Sequence, residues 1–254
     1  MSPIKPTLVI IPGFMGQPED WTWLVQALEA QVTCLVVDLG AFASPIPTAS
    51  TDDDRFLLAC HGLFDQFDRA NRLPERFALL GYSMGGRIAM AWAKRFPERL
   101  THLVLESCHP GLLLPEERVE RQQSDKKWAD RFQSQHLTSV LTAWYQQGVF
   151  AHLNTEQRRQ RVLQRVTQSK VQTPQQIAAQ LMTFSLGWQP YLGQLPAIPT
   201  TYLCGALDAK FVAIGTQLSA QNSHLALYQM PDSGHNVHQE TPQAYLACIQ
   251  ALLV

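Results

Sequence analysis

"GYSMGGR", residues 81–87, is the stretch on which the reading of this chain turns. It places glycine, serine and glycine at 81, 83 and 85, the spacing G-x-S-x-G, between an apolar run and a helical pattern. A serine on such a strand-to-helix turn is lifted clear of the sheet. The helix that follows aims its free amides, and the positive end of its dipole, at the hydroxyl. Ser83 is therefore the candidate reactive group. Arg87 lies four residues on, along the same helix face. A guanidinium facing a sheet cannot shed its proton and needs an anion. Glu106 or Asp38 could serve as a structural partner, but the position beside Ser83 favours a bound carboxylate.

Outward from this motif, short continuous apolar runs recur: TLVII (7–11), TCLVVD (33–38), RFALLG (76–81), THLVLES (101–107), TTYLCG (200–205) and HLALYQM (224–230). Unbroken apolar runs of this length suit strands buried on both faces. Helical patterns at 21–30, 53–69, 84–95 and 242–252 separate several of them. The rhythm predicts an α/β fold, a mostly parallel sheet with helices on both sides. It stops over 112–194, where helical patterns continue without a convincing strand. The expected organisation is a core formed by 1–111 and 195–254, with 112–194 inserted as a helical cap.

With 254 residues, 46% of them hydrophobic, the chain can bury one large core. A net charge of −1 offers no global field for nucleic acid or an anionic membrane. The charge is uneven, however. Residues 112–172 hold ten basic and six acidic side chains, so the insertion is basic on an acidic body. The five cysteines are scattered without a C-x-x-C pair, which suits small buried side chains better than a disulfide scaffold or a zinc site. The N-terminal apolar run is short and broken by Pro12, and no stretch nears the roughly 18 apolar residues of a membrane span. A cytoplasmic monomer without nucleic-acid or membrane partners is expected.

A serine hydroxyl needs a histidine to take its proton, and that histidine needs an acid. On α/β sheets the three occur in the order Ser, acid, His. Asp208 follows TTYLCG and His235 follows HLALYQM, so Ser83, Asp208 and His235 form the candidate triad. Asp232 reads as a turn residue and His238 as peripheral, at the start of the last helix. Two backbone amides should face the developing oxyanion, those of Met84 and of Phe14 in the loop after the first strand. In the insertion, Arg121, Asp125, Trp128 and Phe132 share one stripe of a helix beginning near Pro115, and the aromatics mark it as the inward one. Asn154 with Gln157 resembles a capping box at the start of a second cap helix. There Arg158, Arg161 and Arg165 share a face, and periodicity alone does not choose among them. Cations beside Ser83 suit a substrate with several carboxylates and suit an apolar ester poorly.

GYSMGGR, ESCHPGL (106–112), RQQSDKKWADRF (121–132), WYQQGVF (144–150), YLCGALDAKF (202–211) and SGHNVHQETP (233–242) together resemble the 2-succinyl-6-hydroxy-2,4-cyclohexadiene-1-carboxylate synthase family of menaquinone biosynthesis, in the α/β-hydrolase superfamily. The resemblance covers nearly the whole chain. It implies the α/β-hydrolase fold and a carbon-oxygen lyase that eliminates pyruvate from 2-succinyl-5-enolpyruvyl-6-hydroxy-3-cyclohexene-1-carboxylate. Ser83, Asp208 and His235 would be catalytic, and Phe14 and Met84 would form the oxyanion hole. Tyr82, Arg87, Arg121, Trp144 and Arg165 would bind substrate; no metal or organic cofactor is implied. Two loops depart from the family pattern: Pro12-Gly13 stands where relatives often carry His-Gly, and DLGAFASP (38–45), with Ala41 and Ala43, stands where they often carry GxGxS. The competing readings are a serine carboxylesterase, thioesterase or lactonase using the same triad by acyl transfer, and a non-catalytic binding protein on the same fold.

Overall fold

The computed structural model describes residues 5–42, 51–168 and 172–253. Six strands form one parallel sheet: β1 (Thr7–Ile11), β2 (Thr33–Val36), β3 (Phe77–Tyr82), β4 (Leu100–Glu106), β5 (Thr200–Gly205) and β6 (Leu225–Met230). Their spatial order is β2-β1-β3-β4-β5-β6. The order reverses direction between β1 and β3, which opens a crevice past their C-terminal ends.

Alternation along each strand sends its apolar side chains to opposite faces. Val9 and Ile11 of β1 and Leu79 of β3 join one core cluster with Phe56, Ile88 and Trp92. These come from α2 (Asp52–Asn71) and α3 (Met84–Arg95). Leu8, Ile10 and Leu80 join the other, with Leu24 of α1 (Thr22–Leu28) and Tyr245 and Ile249 of α10 (Pro242–Leu253). Burial on both faces explains why these strands are continuous in hydrophobicity.

Between β4 and β5 lie α4 (Pro115–Ser134), α5 (Leu137–Trp144), α6 (Thr155–Gln168) and α7 (Pro174–Thr183), with no strand among the described residues. They have their own apolar cluster, in which Phe132, Val140, Leu141, Val162 and Ile177 pack with Met15 and Phe14 of the loop after β1. The cap thus rests on the loop that borders the crevice. Asn154 and Gln157 exchange backbone-to-side-chain hydrogen bonds at the start of α6, the reciprocal arrangement of a capping box.

Two expectations need correction, and one helix goes beyond them. The chain after Asp208 forms α8 (Ala209–Gln221), a helix the apolar pattern does not announce. His238 lies in a separate short helix, α9 (Val237–Glu240), and it is buried, not peripheral. Its ring sits 2.9 Å from a Glu106 carboxylate oxygen and stacks on Trp21 at 4.1 Å. Glu106 therefore belongs to His238 and not to Arg87. Asp38 accepts the amides of Gly40 and Ala41. Of the variant loop DLGAFASP, residues 43–45, with Ala43, lie outside the described residues. All five cysteines are free thiols. Among the described residues no helix is long and apolar enough to cross a membrane.

Candidate active site

The turn from β3 into α3 holds Ser83 at φ 51°, in the left-handed region that a non-glycine residue adopts at a cost. Its neighbours are glycines for a packing reason. A Cβ on Gly81 would lie 2.4 Å from the Gly85 carbonyl oxygen, and one on Gly85 would lie 2.0 Å from that of Ile11. β4 steadies the turn from the other side, since the Ser83 amide donates to the Glu106 carbonyl at 2.8 Å.

Three loops at the C-terminal edge of the sheet bring the polar groups together. Ser83 Oγ lies 3.2 Å from His235 Nε2, and His235 Nδ1 lies 2.9 Å from Asp208 Oδ2. The other Asp208 oxygen accepts from the Phe211 amide, so the first turn of α8 fixes the carboxylate. With Nδ1 donating to Asp208, His235 presents Nε2 as an acceptor for the Ser83 proton. Phe14 and Met84 line the same cavity, and neither backbone amide has an acceptor among the described residues. This arrangement can remove a proton and stabilise an oxyanion. It is equally equipped to attack an acyl carbon.

A cavity of about 160 Å³ contains Ser83 and His235 and is lined by Phe14, Tyr82, Arg87, Arg121 and Trp144. Arg87 is 6% exposed and forms no ion pair among the described residues. Its Nη1 donates to Gln189 Oε1 at 3.2 Å. Burial, with Arg121 adding repulsion, pushes its pKa down to about 10, so it remains a cation at neutral pH. Arg121 reaches the cavity from α4 while donating to Asp125 Oδ1 at 2.8 Å. Asp125 is itself buried and accepts from Ser185. Burial and the nearby Glu106 keep the Tyr82 hydroxyl protonated well above its ordinary range.

Arg165 is not brought into this cavity. Its Nη1 donates to Asp20 Oδ2 at 2.6 Å, and it lines a smaller adjoining pocket with Arg161, Tyr145 and Tyr82. Arg158 turns to Gln146 and the Phe150 carbonyl, and Arg161 to Gln239. The physical reason is that α6 crosses the loop after β1, where Asp20 supplies the anion a buried guanidinium needs.

Sequence reasoning passed over Glu240. Its carboxylate accepts from the amides of Gly234 and Asn236, on either side of His235, and lies 3.1 Å from His152 Nε2. Spacing does carry a signal, an acid five residues after the candidate histidine at the end of a one-turn helix. His109, Lys210 and Ser107 also line the Ser83 cavity.

The model of the α/β hydrolase fold family matches residues 6–242. A 2-succinyl-6-hydroxy-2,4-cyclohexadiene-1-carboxylate synthase from Escherichia coli O7:K1 is 38% identical, over 99% of this chain and 95% of its own length. The protein of that name from Pectobacterium atrosepticum is 37% identical, over 100% and 96%. Among solved structures, MenH from S. aureus superposes with a TM-score of 0.82 at 23% identity, covering 99% of this chain and 95% of that one. The chain belongs to the 2-succinyl-6-hydroxy-2,4-cyclohexadiene-1-carboxylate synthase family of α/β-hydrolase-fold proteins.

Proposed function

We propose that this protein is a carbon-oxygen lyase that forms 2-succinyl-6-hydroxy-2,4-cyclohexadiene-1-carboxylate from 2-succinyl-5-enolpyruvyl-6-hydroxy-3-cyclohexene-1-carboxylate, releasing pyruvate. The observation that carries the reading is Arg87, a buried cation without an acid partner among the described residues, in the cavity that holds Ser83. A polyanionic substrate completes that site; a neutral ester leaves the charge stranded.

His235, oriented by Asp208, takes the Ser83 proton as Ser83 Oγ takes the proton from ring carbon 2. The electron pair of the broken C–H bond forms the double bond between carbons 2 and 3. The existing 3,4 double bond shifts to 4,5, and the bond from carbon 5 to the enolpyruvyl oxygen breaks. Charge that passes through the succinyl carbonyl oxygen is met by the Phe14 and Met84 amides. The enolate leaving group takes up a proton on its methylene carbon and becomes pyruvate, so the elimination is proton-neutral. Arg87 and Arg121 hold carboxylates, Tyr82 and Trp144 border the ring, and Arg165 supports the neighbouring pocket. These steps call on no metal or organic cofactor. Every group comes from one chain, so a monomer suffices, and we place it in the cytoplasm with a small polycarboxylate as its partner.

The test is a coupled assay of pyruvate formation from the enolpyruvyl substrate. Wild type is expected to release one pyruvate per turnover, and Ser83→Ala to lose about 10³-fold or more in rate. A stoichiometric burst of p-nitrophenol from p-nitrophenyl acetate, with no pyruvate from the enolpyruvyl substrate, would instead establish acyl transfer.

A further inference from the structure

β4 and β5 are neighbours in the sheet, so the segments leaving their C-terminal ends form one wall of the Ser83 cavity. The segment after β4 contributes Ser107 and His109, and the one after β5 contributes Lys210. The elimination as derived above uses none of them.

Each is set up to meet a ligand. Ser107 is 0% exposed, has φ 45°, and its Oγ has no hydrogen-bond partner among the described residues. A buried hydroxyl without a partner costs about 1–3 kcal/mol, which a ligand oxygen at the cavity wall would offset. His109 Nδ1 accepts from the Gly111 amide at 3.1 Å, so its ring proton resides on Nε2. Burial, reinforced by Lys210, Arg87 and Arg121, pushes its pKa down to about 3. At neutral pH it is an uncharged donor. Lys210 makes no hydrogen bond or ion pair among the described residues, and Arg121 lines the same cavity. Burial and then the Arg121 charge lower its pKa. The carboxylate nearest in kind, Asp208, is already committed to His235.

We propose that Ser107, His109 and Lys210 bind the carboxylate of the departing enolpyruvyl group. The inference rests on the lyase reading. That substrate carries three carboxylates. Arg87 and Arg121 account for two, Arg165 is held by Asp20 outside the cavity, and Lys210 is the remaining cation in its lining among the described residues. Lys210 is also more open to solvent than Arg87, which places it nearer the mouth through which the fragment must leave. As the bond from carbon 5 to oxygen breaks, its electron pair goes to the enolate oxygen beside that carboxylate. There the ammonium stabilises it and the Nε2–H of His109 can donate to it. No redox partner is needed, and the proton lost from carbon 2 balances the one that converts enolate to pyruvate.

The experiment compares wild type with Lys210→Met, Lys210→Arg and Ser107→Ala, measuring kcat and KM, competitive inhibition by pyruvate, and affinity for the diene product, which lacks the enolpyruvyl group. In Lys210→Met, KM for the substrate and the inhibition constant of pyruvate are both expected to rise about tenfold or more, with product affinity within about twofold of wild type. Lys210→Arg should retain most of the affinity, and Ser107→Ala should shift both constants in the same direction by about threefold. Because binding needs the protonated amine, KM should climb as pH rises through the lowered lysine pKa, and Lys210→Arg should remove that part of the climb, leaving only the contribution of Arg87, whose pKa is about 10. Unchanged substrate KM and pyruvate inhibition in Lys210→Met, with normal wild-type turnover, would overturn the assignment. So would a parallel loss of pyruvate and product affinity, which would move Lys210 to another carboxylate. Failure of wild type to release pyruvate would strike the lyase reading itself.

Discussion

A guanidinium at 6% exposure whose hydrogen-bond partner is a neutral amide has given up much of its water for little charge compensation. On the proposed reading Arg87 serves the substrate rather than the fold. Charge-assisted contacts to a carboxylate contribute about 1.5–3 kcal/mol. Arg87→Ala should accordingly lower kcat/KM by about 10–100-fold, while the melting temperature moves by only a few degrees, because the lost packing is offset by removing an unpaired charge. Steady-state kinetics beside a thermal melt check both halves, and unfolding of the variant would show the cation to be structural. His109 makes a complementary stability prediction. Its folded pKa of about 3 lies below the ordinary value of 6.5, so the unfolded chain binds the extra proton between those limits. The contribution of His109 to stability is fully present above about pH 6.5 and is lost as pH falls toward 3. Urea midpoints measured across that window should fall less steeply in His109→Gln than in wild type.

At the scale of elements, legibility followed locality. The strands announce themselves because each is apolar on both faces, and the elbow because Gly81, Ser83 and Gly85 meet a steric demand within five residues. α8 was missed because its inward side mixes Phe211, Gly215 and Leu218 in a weakly patterned segment, and Gly215 is there to let Tyr202 of β5 approach. The pairings that matter most cross long distances in sequence, Glu106 with His238 and Asp20 with Arg165, and no spacing rule reveals them. Within the site, Ser83, Asp208 and His235 could be named from their places behind strands, whereas the brace on the histidine showed only as an acid five residues downstream. Glu240 in α9 grips the amides on both sides of His235. Glu240→Gln keeps the shape but can accept with only one oxygen, which loosens the imidazole by weakening one amide contact. The expected result is a fall in kcat of about tenfold with KM little changed. A rise in KM alone would place Glu240 on the substrate side instead.

For the whole molecule, the question is what joins the cap to the core. Apolar contact supplies part of the answer, with Phe14 against Trp144 at 4.9 Å and Phe132 at 5.8 Å. The pair of Arg165 in α6 and Asp20 in the loop after β1 supplies a polar clasp, with side chains 12% and 2% exposed. Removing one member of a buried pair strands the other charge, at a cost of about 3–5 kcal/mol. Asp20→Asn should therefore lower global stability by that order, or detach the cap locally so that backbone amides of α6 exchange faster while those of β3 and β4 do not. Hydrogen exchange read segment by segment separates the two. The clasp also differs in kind from the exposed Lys126–Asp130 pair on α4. Salt screens exposed charges over about 10 Å at 0.1 M but penetrates a buried pair poorly. Raising ionic strength should leave the Asp20→Asn penalty nearly intact while erasing any effect of Asp130→Asn. If salt abolished the Asp20 effect as well, the clasp would be a surface contact, and the cap would be held by its aromatic cluster and its remaining polar contacts, such as Gln122 with Asp52 and His152 with Glu240.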